Sequence, residues 1–219
     1  MIKNLIFDFD GVIVDSEMLV AKSFSRYLKN LGKEFSEKDF AQYAGKKTIQ
    51  IVEILSKKFF IKDPNKFFND IMDIGLDIYR NELIAVDGVY EFIINAKYNL
   101  FIGSNNQKKR IIDGLKKVRL DKYFKPDVIY SFDLVNKPKP HPDIYLKAIK
   151  DNNLNKKETI IIEDSAVGVE AGISAGIKVI GITAGGHWYD NRDEKELFDA
   201  GAFAVTNDYK KITEIIERN

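Results

Sequence analysis

Short apolar runs recur along this chain, and several of them end in polar or acidic residues. Leu5-Ile6-Phe7, Leu100 to Gly103, Val128 to Ser131, Ile160 to Glu163, Val179 to Ile182 and Phe203 to Val205 read as buried strands. From Asp87-Gly88 onward they alternate with helical stretches, and such β-α-β repetition predicts a mainly parallel sheet wound on both faces. Between Ser16 and about Leu83 the pattern changes: Val20, Phe24, Tyr27, Leu28 and Leu31 recur at helical spacing, and Gly32 provides a stop. Ser36-Glu37-Lys38-Asp39 resembles a capping box, Thr48 can cap a helix over Ile49 to Phe59, and Asp63-Pro64 opens another. That last helix carries Phe67, Phe68, Ile71, Ile74 and Ile78, expected to form the segment's own core. The chain is therefore expected to divide into an α/β core, residues 1–15 with 84–219, and an inserted all-α domain, residues 16–83.

Chemistry is suggested first by Asp8-Phe9-Asp10, which follows Leu5-Ile6-Phe7 and precedes Gly11. Residues i and i+2 of an extended segment point to the same side, so Asp8 and Asp10 can face one ligand while Phe9 packs away. Like charges so close repel unless a cation joins them, and oxygen ligands favour Mg2+ or Ca2+ over softer metals. Taken alone, Asp-x-Asp-Gly also suits a capping residue and a turn.

Three later segments add to it. Ser104 and Asn105 follow the run Leu100 to Gly103 and precede a helical stretch, where a hydroxyl and free backbone N–H groups can cradle phosphate. Lys137-Pro138-Lys139-Pro140-His141-Pro142-Asp143 places a cation in a loop stiffened by prolines. Thr159-Ile160-Ile161-Ile162 ends in Glu163-Asp164-Ser165, a second acidic pair at a second strand end. In an open α/β sheet the carboxyl edge is where ligands bind.

Composition narrows the partners. The 219 residues hold 34 basic and 33 acidic side chains, so no global field favours nucleic acid or an anionic membrane. Cysteine is absent, which excludes disulfides, thiolate chemistry and Cys-based zinc sites. His141 and His187 are too few for a His-rich metal site, and neither is assigned to the reaction centre. No apolar stretch reaches the roughly 18 residues needed to span a bilayer, and Met1-Ile2-Lys3-Asn4 leads directly into a strand. A cytoplasmic protein is expected.

In order and separation, DFDGVIVDSE, IGSNN, NKPKPHPD and IIIEDSAVGVEAGISAG resemble the four motifs of the haloacid dehalogenase-like hydrolases. The resemblance covers essentially the whole chain. It is strongest to the subfamily of sugar-phosphate phosphatases, phosphoglycolate phosphatase and β-phosphoglucomutase, which carry a helical cap after the first motif. It implies a Rossmann-like, doubly wound core with an inserted helical cap, hinged near Val14 to Glu17 and Asn81 to Gly88, and a Mg2+-dependent phosphatase for a small phosphorylated metabolite. By the same resemblance Asp8 is the nucleophile that becomes an aspartyl-phosphate, Asp10 the general acid and base, and Lys137 the motif lysine, with Lys139 solvated. Asp8, the Asp10 carbonyl and Asp164 would hold Mg2+ with Glu163 close by. Gly11, Ser104 and Asn105 would bind phosphate, and Lys47, in the cap loop Gly45-Lys46-Lys47-Thr48, would contact the rest of the substrate.

The departures from the pattern are also informative. β-Phosphoglucomutases carry His five residues beyond the position of Asp15 and Arg three residues after the cap glycine, where this chain has Val20 and Thr48. A sugar phosphate or sugar-acid phosphate phosphatase is thus expected ahead of a phosphosugar mutase, and both ahead of a non-catalytic scaffold that binds a phosphometabolite.

Overall fold

The computed structural model describes residues 1–43, 46–188 and 192–218. Gly45, part of the expected cap loop, lies outside the described residues. Six strands, β1 (Asn4–Phe7), β2 (Asn99–Ser104), β3 (Ile129–Ser131), β4 (Thr159–Glu163), β5 (Lys178–Ile182) and β6 (Ala204–Thr206), form one sheet in the order β3-β2-β1-β4-β5-β6. Every neighbouring pair is parallel. Each predicted apolar run is one of these strands. Strands β1, β3 and β4 are buried at every position, as expected where both faces of a parallel sheet are covered.

Contacts divide the chain into two units, residues 1–15 with 84–219 and residues 16–83. The second unit is helical: α1 (Glu17–Asn30), α2 (Glu37–Phe40), α3 (Thr48–Phe59) and α4 (Pro64–Glu82). Local signals explain most of its boundaries. Ser36 Oγ accepts from Asp39 N at 3.2 Å while Asp39 Oδ2 accepts from Ser36 N at 2.7 Å, the reciprocal cap expected. Asp63 Oδ1 accepts from Lys66 N at 2.9 Å, with Pro64 as the first helical residue. Thr48 is not the cap of α3 but its first residue; Lys47 precedes it, and Gln50 Oε1 accepts the Lys47 N–H at 3.0 Å. The Gln50 side chain, three residues on, thus satisfies the backbone donor at the start of α3.

Aromatic packing holds this unit together. Phe67 is fully buried, stacks on Tyr27 at 4.4 Å between centroids and meets Phe24 edge-on at 5.7 Å. Glu82, near the end of α4, pairs with Arg26 at 2.6 Å and Lys22 at 3.4 Å on α1.

The first unit adds α5 (Val89–Ile94), α6 (Lys108–Lys117), α7 (Asp143–Asp151), α8 (Ala166–Ser174), α9 (Lys195–Asp199) and α10 (Tyr209–Glu217). Alternate strand residues Ile6, Phe101, Ile161 and Val179 pack on one face against Tyr145 of α7, Val169 of α8 and Leu197 of α9. From β1, Phe7 meets Phe92 of α5, which in turn lies 5.5 Å from the Tyr209 ring of α10. This is the doubly wound Rossmann-like arrangement. Among the described residues no helix is long and apolar enough to cross a membrane.

Truncating a buried Phe typically costs about 3–5 kcal/mol. Phe67→Ala is therefore expected to lower the unfolding free energy of residues 16–83, read from urea denaturation, by an amount in that range, and an exposed-position control, Phe60→Ala, to leave it within about 0.5 kcal/mol.

Candidate active site

Sheet register assembles the site. Phe7 pairs with Ile102 of β2 and Ile162 of β4, so the next residue, Asp8, stands level with Gly103 and Glu163. The ladder continues one step, because Asp8 N donates to Ile162 O at 2.9 Å. The chain leaves β1 to one side for β2 and reaches β4 on the other, and the crevice at such a reversal of strand order is where α/β sheets bind ligands. Gly11 then turns the chain with φ +71°, and its N–H donates to Val14 O at 2.7 Å. A Cβ at Gly11 would overlap Asp164 Oδ2, so both the backbone angle and the close approach require glycine.

The lysine at the centre is Lys139, not Lys137. Lys139 Nζ lies 2.8 Å from Asp8 Oδ1 and 2.5 Å from Glu163 Oε1, with its side chain 4 % exposed. Lys137 is exposed to solvent. The expectation failed because Lys-Pro-x-Pro occurs twice in overlap, from Lys137 and from Lys139. What selects the second copy is remote in sequence: the Asn105 side chain clamps the Lys139 backbone, its Oδ1 accepting from Lys139 N at 2.9 Å and its Nδ2 donating to Lys139 O at 3.2 Å. The Asn105 side chain thus positions the lysine, whereas only a phosphate-binding part was expected for this residue.

Glu163 is fully buried and its two oxygens are shared out among several donors. Oε1 accepts from Lys139 and, at 2.9 Å, from the buried Tyr145 hydroxyl; Oε2 accepts from Asp164 N, Ser165 N and Ser165 Oγ at 3.1 to 3.4 Å. Lys139 Nζ also sits 4.9 Å from the centroid of the Tyr145 ring. Burial pushes the Asp8 carboxyl well above the usual range; Lys139 opposes that rise, and Glu163 and Asp164 add to it. Burial alone would lower the Lys139 ammonium, but Asp8 and Glu163 outweigh it and hold it well above the ordinary lysine value. The lysine is a fixed cation.

Asp8, Asp10, Ser104, Asn105, Asn106, Lys139, Glu163 and Ser165 line one cleft of about 160 Å³. Ser104 is buried, and its Oγ accepts from Asn106 N at 3.2 Å, which leaves its proton to donate into the cleft. The Asn106 side-chain amide contacts Asp10 Oδ2. A larger hollow of about 780 Å³ near Asp87, Tyr98 and Lys210 includes none of these groups. Lys46 and Lys47 are exposed at the start of α3 in the helical unit. Sequence reasoning missed Lys139, Asn106, Tyr145 and His187, whose Nε2 is 3.0 Å from Asp164 Oδ2.

Carboxylate oxygens of Asp8, Glu163 and Asp164 all lie within 4.8 Å of one another. One ammonium cannot neutralise three carboxylates, and Glu163 and Asp164 add to the rise that burial imposes on the Asp8 carboxyl. An all-oxygen donor set with excess negative charge suits a hard divalent cation.

A parallel sheet in this order, with carboxylates and one buried lysine at the switch point, defines a Rossmann-like core with an acidic crevice at the edge where such sheets bind ligands. Residues 5–182 match the haloacid dehalogenase-like hydrolases. The chain is 30 % identical over 206 residues to a phosphorylated carbohydrates phosphatase of Thermotoga maritima, covering 92 % of each chain. It is 25 % identical over 188 residues to the 6-phosphogluconate phosphatase of Escherichia coli, covering 85 % of each. A haloacid dehalogenase-like protein of unknown function from Agrobacterium tumefaciens superposes with a TM-score of 0.86 at 29 % identity, over 100 % of this chain and 99 % of that one. The chain belongs to the haloacid dehalogenase-like hydrolase family, among its phosphatases.

Lys139→Met is expected to lower kcat by about 10²-fold or more, the usual consequence of losing a preorganised charge in a closed site. Lys137→Met should stay within about twofold of the unsubstituted protein. Steady-state phosphate release from both variants compares the two lysines directly.

Proposed function

We propose that this protein is a Mg2+-dependent phosphomonoesterase for a small phosphorylated carbohydrate or sugar acid, working through an aspartyl-phosphate on Asp8. The observation that carries the proposal is the 2.8 Å pair of Asp8 with the buried Lys139 inside the carboxylate cluster. The substrate class rests on the Thermotoga maritima and Escherichia coli relatives, named for phosphorylated carbohydrates and 6-phosphogluconate.

The Asp8 carboxylate attacks phosphorus, forming an O–P bond as the bond to the leaving alkoxide breaks. Asp10 gives its proton to that alkoxide oxygen. In the second half-reaction Asp10, now a carboxylate, takes a proton from water as the water oxygen attacks the phosphorus of aspartyl-phosphate, releasing inorganic phosphate and restoring Asp8. Lys139 stays protonated throughout, holds the Asp8 carboxylate in place and offsets charge on the phosphoryl oxygens. Ser104 and the Asn105 N–H would bind those oxygens, with Gly11 allowing the chain to pass close by. Asp8, the Asp10 carbonyl and Asp164 would hold Mg2+, which supplies charge neutralisation at the phosphate. Glu163, its oxygens already engaged, would serve by anchoring Lys139 and the Asp164 backbone. Residues 16–83 would act as the cap, with Lys47 contacting the non-reacting part of the substrate.

Phosphate release from a panel of sugar phosphates, sugar-acid phosphates, phosphoglycolate and nucleotides tests the reading, with Mg2+ and with chelator. Turnover of a sugar or sugar-acid phosphate is expected only with Mg2+, and Asp8→Asn should reduce it by about 10⁴-fold or more. Metal-independent turnover, or an isomerised sugar without phosphate release, would sink it. Lys47→Ala should raise KM about tenfold with kcat little changed, the signature of lost uniform binding; an unchanged KM removes Lys47 from the substrate site.

A further inference from the structure

The loop after β5, from Thr183 to Trp188, reaches the same sheet edge and has no part in the chemistry derived above. Its His187 Nε2 lies 3.0 Å from Asp164 Oδ2, and the two side chains are 11 % and 8 % exposed. The loop is fixed from several sides. Gly186 N donates to Asp15 Oδ2 at 3.1 Å, and Trp188 N donates to Gly185 O at 3.0 Å. Gly185 packs so closely that a Cβ there would stand 2.9 Å from both the Gly11 carbonyl oxygen and His187 Nδ1. From the other side, a Cβ at Gly11 would come within 2.8 Å of His187 Cε1. The imidazole is therefore wedged between the Gly11 turn and Asp164.

We propose that His187 is a positioning residue that donates Nε2–H to Asp164 Oδ2 and holds that carboxylate toward Asp8 for metal binding. This inference rests on the metal-dependent reading above. The physical need is clear from the charges. Asp8, Glu163 and Asp164 repel one another, and Lys139 pairs with only the first two. A carboxylate in that company turns away unless a donor fixes it, and His187 occupies the donor's place at Asp164 as Lys139 does at Asp8. His187 is not a member of the three-carboxylate cluster, so it acts through Asp164. Hydrogen-bond partners of metal ligands commonly carry 10- to 100-fold of metal affinity.

The test uses the full chain without substrate. Mn2+, a paramagnetic probe for an oxygen-ligand site, is titrated while free ion is read by electron paramagnetic resonance, with Mg2+ as competitor. His187→Leu is expected to raise the Mn2+ Kd by about 10- to 100-fold. His187→Gln, whose amide N–H reaches as far as Nε2, should recover affinity to within about threefold of the unsubstituted protein. Circular dichroism checks that each variant is folded, and His187→Met replaces the leucine variant if that one is not. An unchanged Kd in the apolar variant, or a loss in the glutamine variant equal to it, overturns the role of His187. No Mn2+ binding by the unsubstituted protein overturns the metal-dependent reading itself, which the variants alone cannot do.

Discussion

One buried ammonium holds the reaction centre together. Lys139 joins a carboxylate at the end of β1 to another at the end of β4, at 2.8 Å and 2.5 Å. Without it the two carboxylates would be costly neighbours: charges no more than 4.8 Å apart repel by about 3 kcal/mol or more at an effective dielectric of 20, and burial adds desolvation. Everything that fixes the ammonium consequently matters to the carboxylates. Asn105 grips its backbone, Tyr145 lies beneath it and shares Glu163 Oε1, and Ser165 with two backbone N–H groups secures the other oxygen of Glu163.

The sheet delivers these groups through its register. Parallel register sets Asp8, Gly103 and Glu163 at one level, and the missing side chain at Gly103 leaves room for the Tyr145 ring. Because the order is β3-β2-β1-β4-β5-β6, loops from both halves of the sheet converge on the end of β1. The Lys139 loop arrives from beyond β3 and the His187 loop from beyond β5. Remote segments thereby meet within hydrogen-bond distance, though Asp8 and Lys139 are 131 positions apart in the sequence.

What could be read in the sequence was what depends on neighbours along the chain. All six strands coincide with apolar runs, and in β1, β3 and β4 burial at every position leaves no room for polar alternation; the caps at Ser36 and Asp63 follow from residues three apart. The positions of Asp8, Asp10, Ser104 and Glu163 at or just past strand ends were legible for the same reason. The choice between Lys137 and Lys139 was not, because two overlapping Lys-Pro-x-Pro patterns are locally equivalent and the decision belongs to Asn105. His187 carried no local signal either. Its position depends on Gly185 and Gly11 packing closely enough to leave one place for an imidazole, a contact made only when β1, β4 and β5 are side by side.

The two pKa shifts at the centre run in opposite directions for stability. Lys139 is raised, so its contribution is fully present below the ordinary lysine value and is lost only as pH climbs through the higher folded one; near neutrality it is intact. Asp8 is raised as well, and for an acid that sign is adverse: ionising it favours the unfolded chain, increasingly so as pH rises from its ordinary value of 3.8 through the folded one. Near neutrality the fold thus holds at Asp8 a carboxyl whose ionised form is the one its surroundings resist. Burial is the largest cause, and the residual charge of Glu163 and Asp164 reinforces it, so added positive charge beside Asp164 relieves the part that Lys139 leaves unmet. A divalent cation there would stabilise the fold and favour the ionised Asp8 carboxylate by the same interaction, so that occupancy of the acidic cluster and ionisation of Asp8 would rise together.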